Sequence, residues 1–99
     1  MWESFDLNAI DREIKWASQI GFSKFRTFLH IEPFLTNRTE FIKNIWKYLT
    51  ILKSYKAQAI PVLFDDCWNT NYNSGKQPDP IPGVHNSQWV QCPGNIKLP

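Results

Sequence analysis

The chain has 99 residues, which allows one small domain. With 42% hydrophobic and 20% charged residues its composition is that of a folded globular chain, and a net charge of +2 gives no footing for nucleic acid or an anionic membrane. No apolar run approaches the roughly 20 residues a membrane span needs, and "MWESFDLNAIDREI" has neither the basic nor the apolar region of a signal peptide, so the compartment stays open.

The segment "LNAIDREIKWASQIG" predicts a helix capped by Asn8 and stopped by Gly21, with Asp11 and Glu13 suiting its N-terminal end. Ile10, Ile14, Ala17 and Ile20 give it one apolar face, and Trp16 is read as a packing residue. Next, "FSKFRTFLH" has the β-branched and aromatic content of a strand. Its alternation sets Phe25, Thr27 and Leu29 on one face and Arg26, Phe28 and His30 on the other. Pro33 and "LTNRT" break the pattern. A second helix starts at Asn37, whose pairing with Glu40 resembles a capping box, and it buries Phe41, Ile45, Tyr48, Leu49, Leu52 and Tyr55. Lys53 and Lys56 end it, and Trp46 is again read as packing.

The strand "IPVLFDD" follows within a few residues. Helix, strand, helix, strand with short links is the rhythm of βαβ units in a parallel sheet. From residue 69 to residue 99 neither period continues, and five of the seven prolines and three of the four glycines lie there. Such a long loop tends to carry function when it is ordered.

Both predicted strands end in reactive side chains, Arg26 to His30 and Asp65 to Trp68. In α/β sheets and (β/α)₈ barrels ligands sit at the C-terminal strand ends, where charges face an open cup instead of a core. Arg26 either pairs with Asp65 or Asp66 or touches a ligand directly, and His30 is a candidate for the rim. Alternation sends one of Asp65 and Asp66 inward and the other out. Trp68, Trp89 and Tyr72 either line a cleft or pack the long loop, with packing favoured for Tyr72.

His30, Asp65, Asp66, Cys67, His85 and Cys92 are all ligand types, yet their spacing matches no compact zinc pattern, so no metal and no cofactor is expected. Cys67 and Cys92 could pair if the long loop folds back, but with no secretory signal visible free thiols are the expected state. A rim of Trp, Asp, His, Asn and Arg suits sugars, whose C–H faces stack on indoles and whose hydroxyls need polar partners.

Three stretches, "IDREIKWASQIGFSKFRTFLH", "PVLFDDCWN" and "GKQPDPIPGVHNSQWVQCPG", resemble a bacterial group of (β/α)₈ glycoside hydrolases of the 1,4-β-xylanase or cellulase-like kind, near glycoside hydrolase family 5. The similarity runs from about Trp2 to Gly94, although "IEPFLTNRTEF" departs from the acidic, Trp-containing linker of that group. It implies an α/β fold: residues 1–99 as the opening βαβαβ part of a TIM barrel, from the end of a first strand at Trp2-Glu3-Ser4 to a long loop at 69–99. A whole barrel takes roughly 250 residues.

The catalytic Glu pair of such enzymes stands at the fourth and seventh strand ends, so the resemblance places it beyond residue 99 and the chain by itself is expected to be inactive. By the same resemblance Arg26 would steady the barrel end near the catalytic acids on the substrate side, and His30, Asp65 or Asp66, Trp68, His85 and Trp89 would line the cleft for an oligo- or polysaccharide. The alternatives are a non-catalytic carbohydrate-binding or interaction remnant and, less favoured, a metal-dependent barrel hydrolase.

Overall fold

The computed structural model describes residues 1–67, 69–71, 75–76, 78–85 and 87–94. Helix α1 (Leu7–Gln19) leads into strand β1 (Lys24–Phe28), then a short helix α2 (Ile31–Thr36), a long helix α3 (Arg38–Ser54) and strand β2 (Gln58–Val62). The two strands pair in parallel, Lys24 opposite Gln58 through Phe28 opposite Val62, which makes an α/β fold with α3 in the crossover. Among the described residues no helix is long and apolar enough to cross a membrane.

Local chemistry explains most boundaries. Helix α1 is capped by Asp6 and not by Asn8: the Ala9 N–H donates to Asp6 Oδ1 at 3.0 Å. The flanking Phe5 and Ile10 both pack on the core, which fits a hydrophobic staple that favours the earlier start. Asp11 consequently lies beyond the first turn, where it accepts a 3.0 Å hydrogen bond from the Tyr55 hydroxyl. At the other end Gly21 takes a left-handed φ of 97°, and the N–H groups of Gly21 and Phe22 donate back to Ser18 and Ala17 carbonyls, as in a Schellman closure. Asn37 does cap α3, its Oδ1 accepting from the Glu40 N–H at 3.1 Å, and Lys53 stands in the last turn.

The bounds of two further elements differ from expectation. Residues after Pro33 are not all loop, because Ile31–Thr36 forms α2 with His30 as its cap. Pro33 sits within the first turn, where its missing N–H costs nothing. Strand β2 ends at Val62 and does not run on to Asp66. Once His30 turns into a helix cap, β1 offers no further partner; the Leu29 N–H reaches the Val62 carbonyl as the last rung. Leu63 and Phe64 are therefore outside the sheet and exposed.

The core lies between one face of the sheet and the helices: Trp2, Ile14, Phe41, Tyr48, Leu52 and Ala57 are buried, with Phe25, Leu29, Ile45 and Ala59 packed against them. Leu49 and Ile20 are more exposed than their periodicity suggests, and Trp16 and Trp46 are exposed, not packing residues. Thr27 is buried on β1 and its hydroxyl lies 2.8 Å from that of Tyr48 on α3. Because the Thr27 proton points to the Phe25 carbonyl, Tyr48 donates the bond between the two hydroxyls. The opposite face of the sheet carries Arg26, Ile60, Phe28 and Val62 in adjacent rungs, and Arg26 and Ile60 are exposed there. Residues 1–6 hold no strand; Trp2 instead donates from its indole N–H to the Phe28 carbonyl at 2.8 Å.

Candidate functional site

The long loop returns to the strand ends and is stitched to them. Asp65 and Cys92 form an antiparallel bridge with backbone bonds of 3.0 and 2.8 Å, and the Gln91 N–H donates to the Asn69 carbonyl at 2.7 Å. Gln91 also donates from its side chain to Asp66 Oδ1 at 2.7 Å. The Cys92 thiol is buried between the two strand ends, 3.3 Å from the Leu63 carbonyl and 3.7 Å from that of Leu29. Further along, the Gly75 N–H reaches Glu3 Oε2 at 3.3 Å, so the loop also meets the N-terminal segment. These bonds hold the loop over the C-terminal end of the sheet.

A cleft of about 320 Å³ opens there, lined by Phe28, His30, Asp65, Gln88, Trp89 and Val90 among others. Trp89 stands edge-on to Phe28 with ring centroids 5.5 Å apart, yet half of it (50%) remains exposed. Behind Phe28 the Arg26 guanidinium lies 4.9 Å from the ring centroid. Arg26 forms no ion pair with Asp65 or Asp66 among the described residues, contrary to one of its two expected roles.

His30 is held in place as the cap of α2. Its Nδ1 accepts from the Glu32 N–H at 3.2 Å, so in the neutral ring the proton sits on Nε2. Burial pushes the imidazole below its ordinary value of 6.5, against a Gln91 backbone hydrogen bond and the Glu32, Glu3 and Asp65 carboxylates, which pull it up. The unfolded chain therefore takes this proton first. Its contribution to stability is present above pH 6.5 and is lost as the pH falls toward the lowered folded value. His30→Asn keeps a capping acceptor and removes the titration. It should flatten stability against pH just below 6.5, as followed by chemical denaturation at stepped pH; an unchanged slope would show that His30 is not the group responsible.

Of the residues singled out in the sequence, His30, Asp65 and Trp89 meet in this cleft, with Arg26 one side chain behind. Asp66 is exposed and held by Gln91, and His85 is exposed and does not line the cleft. Trp68 and Tyr72 lie outside the described residues. Gln88, Val90 and Met1 line the cleft without having stood out. Their only signal was membership of a loop whose return path depends on tertiary bridges.

Cys67 and Cys92 are both free thiols. Cys67 donates to Asp65 Oδ1 at 3.2 Å; its burial, that bond and the charges of Asp65 and Asp66 all push the thiol up, away from the reactive thiolate. Among the described residues no group of three His, Cys, Asp or Glu side chains is placed to hold a metal ion. The arrangement provides an open aromatic face, a neutral imidazole and one carboxylate around a single cleft. Compared with protein-family models, curated proteins and solved structures, the chain gives no match.

Proposed function

We propose that the cleft binds sugar rings and belongs to a glycoside hydrolase acting on β-linked glycans of xylan or cellulose type, with this chain as an early part of a (β/α)₈ barrel that supplies two of its parallel strands. The observation that carries the reading is Trp89: a half-exposed indole beside His30 and Asp65 at the C-terminal ends of parallel strands. A pyranose can lay its C–H face on such a ring and turn its hydroxyls to a carboxylate, an imidazole and Gln88. The barrel assignment draws support from the sheet, whose Arg26 and Ile60 face is exposed while its Thr27 face is buried under α3. In a barrel that exposed face is the interior.

Hydrolysis of a glycosidic bond takes two carboxyl groups flanking it. The cleft contains one, Asp65, so the residues described account for substrate binding and the catalytic pair is assigned to the rest of the proposed enzyme. The same count favours, as a second reading, a carbohydrate-binding module that cleaves nothing. Release of reducing sugar from xylan or cellulose by the whole proposed enzyme, with the strands that carry the catalytic pair, separates the two.

Binding itself is tested by titrating xylo- and cello-oligosaccharides and following tryptophan fluorescence and heat. Trp89→Ala should weaken glycan binding by about 1–3 kcal/mol, by analogy with bases stacked on aromatic side chains, while thermal unfolding stays cooperative. Should the variant melt lower yet bind glycans as the parent does, Trp89 is a packing anchor and the sugar cleft is misplaced.

A further inference from the structure

We infer that the cleft continues past His30 into a second, apolar subsite that takes an aromatic substituent carried by the sugar; this rests on the sugar-binding reading above. A cavity of about 280 Å³ adjoins the cleft, and Leu29 and His30 line both. The rest of its wall is apolar, contributed chiefly by Phe34, Phe41, Leu63, Phe64 and Pro93, with the Cys92 thiol. That thiol is engaged with the Leu63 and Leu29 carbonyls, so it belongs to the wall and offers a ligand no strong polar partner.

The chemistry of the two chambers differs sharply across one imidazole. On the Trp89 side Asp65, Gln88 and His30 suit hydroxyls. On the Phe64 side a sugar hydroxyl would be desolvated without a hydrogen bond, a net cost. An aromatic ring meets no such penalty and can join the edge-to-face packing of Phe34 and Phe41, whose centroids are 5.9 Å apart at 80°. Size agrees: an apolar cavity of about 150 Å³ is enough for benzene, so this space takes a substituted phenyl ring. His30 is held by the Glu32 N–H as the cap of α2, which fixes the divide between the chambers. The ligand class is therefore an aryl β-glycoside, or a glycan bearing an aromatic group, with its sugar on Trp89 and its ring against the phenylalanines.

The test is titration calorimetry of the full chain with phenyl β-D-xyloside and methyl β-D-xyloside, repeated on Phe64→Ala and Trp89→Ala. Phe64 is 68% exposed, so its removal leaves the fold intact. The phenyl glycoside should bind the parent about ten-fold tighter than the methyl one, the effect of burying part of a phenyl ring. Phe64→Ala should erase most of that preference and leave methyl glycoside affinity unchanged, whereas Trp89→Ala should weaken both glycosides alike. Equal binding of the two glycosides to the parent overturns the aromatic subsite and leaves the sugar cleft standing. A phenyl preference that survives Phe64→Ala but vanishes in Trp89→Ala also overturns it, since the ring would then stack in the first cleft. If neither glycoside binds, the subsite and the sugar reading fall together.

Discussion

Trp2→Ala should lower the free energy of unfolding by about 3–5 kcal/mol, the usual cost of deleting a buried tryptophan. The indole is buried among three aromatic rings: stacked near Phe5 at 6.0 Å, and edge-on to Phe41 at 5.3 Å and Tyr48 at 6.0 Å. It therefore joins the N-terminal segment to α3 in a single packing unit. Its N–H also meets the Phe28 carbonyl at 2.8 Å, at the last residue of β1 and at the floor of the cleft. Trp2→Phe keeps much of the ring contact and deletes the donor, and should cost about 1–3 kcal/mol for the carbonyl left unpaired. Urea denaturation followed by circular dichroism measures both. A loss below about 1 kcal/mol for the Ala variant, small against the range for such deletions, would show residues 1–6 to be an appendage and not part of the core.

Leu52→Ala is the second large effect, with an expected loss of about 2–5 kcal/mol. Leu52 is 1% exposed, the most deeply buried large side chain among the described residues. It lies in the last turns of α3, and its carbonyl accepts from the Ala57 N–H at 2.9 Å just before β2 begins. Backbone held this closely cannot collapse far into the space left by the missing side chain, which places the cost toward the upper part of the range. The denaturation midpoint should fall while the slope stays the same. Trp46→Ala on the same helix is the control: its side chain is largely exposed, and a change within about 0.5 kcal/mol is expected. If Leu52→Ala were as mild as Trp46→Ala, the core would not be centred on the α3–sheet contact.

What the sequence disclosed divides along the range of the interactions involved. The stop at Gly21 and the cap at Asn37 follow from neighbours a few residues apart, the parallel order of the strands follows from the alternation of helix and strand, and each is present in the structure. The start of α1 was misplaced by two residues because Asp6 and Asn8 are both good caps, and the choice between them depends on Phe5 and Ile10 reaching the core. Helix α2 was missed because six residues carry no readable period, a proline lies inside it, and its cap is an imidazole, not one of the usual short polar side chains.

"VLFDD" looks like one strand, but a strand continues only while a partner does, and where β1 stops is decided by His30. For the site the same division holds. His30 and the Asp65–Asp66 pair stand out as polar side chains that follow apolar strand runs, but alternation leaves open which of the two acids faces the cleft; Asp65 does. That Trp89 would return to them and His85 would not depends on the bridges at Asp65–Cys92 and Asn69–Val90, pairings more than 20 residues apart that no local pattern encodes.

The hydroxyl pair between Thr27 and Tyr48 acts as a detent. Apolar surfaces are indifferent to small slips, and a helix lying on a sheet could find several seatings of nearly equal burial. Sliding α3 by one turn, about 5.4 Å, would leave the Tyr48 hydroxyl desolvated without its acceptor, while Thr27 keeps its bond to the Phe25 carbonyl on the same strand. The cost of about 1–3 kcal/mol for that orphaned donor exceeds what a slightly altered apolar contact could return. One seating therefore stands clear of its competitors. Because only a short turn separates α3 from β2, fixing that helix also fixes which residue of β2 arrives beside Phe28 at the floor of the cleft.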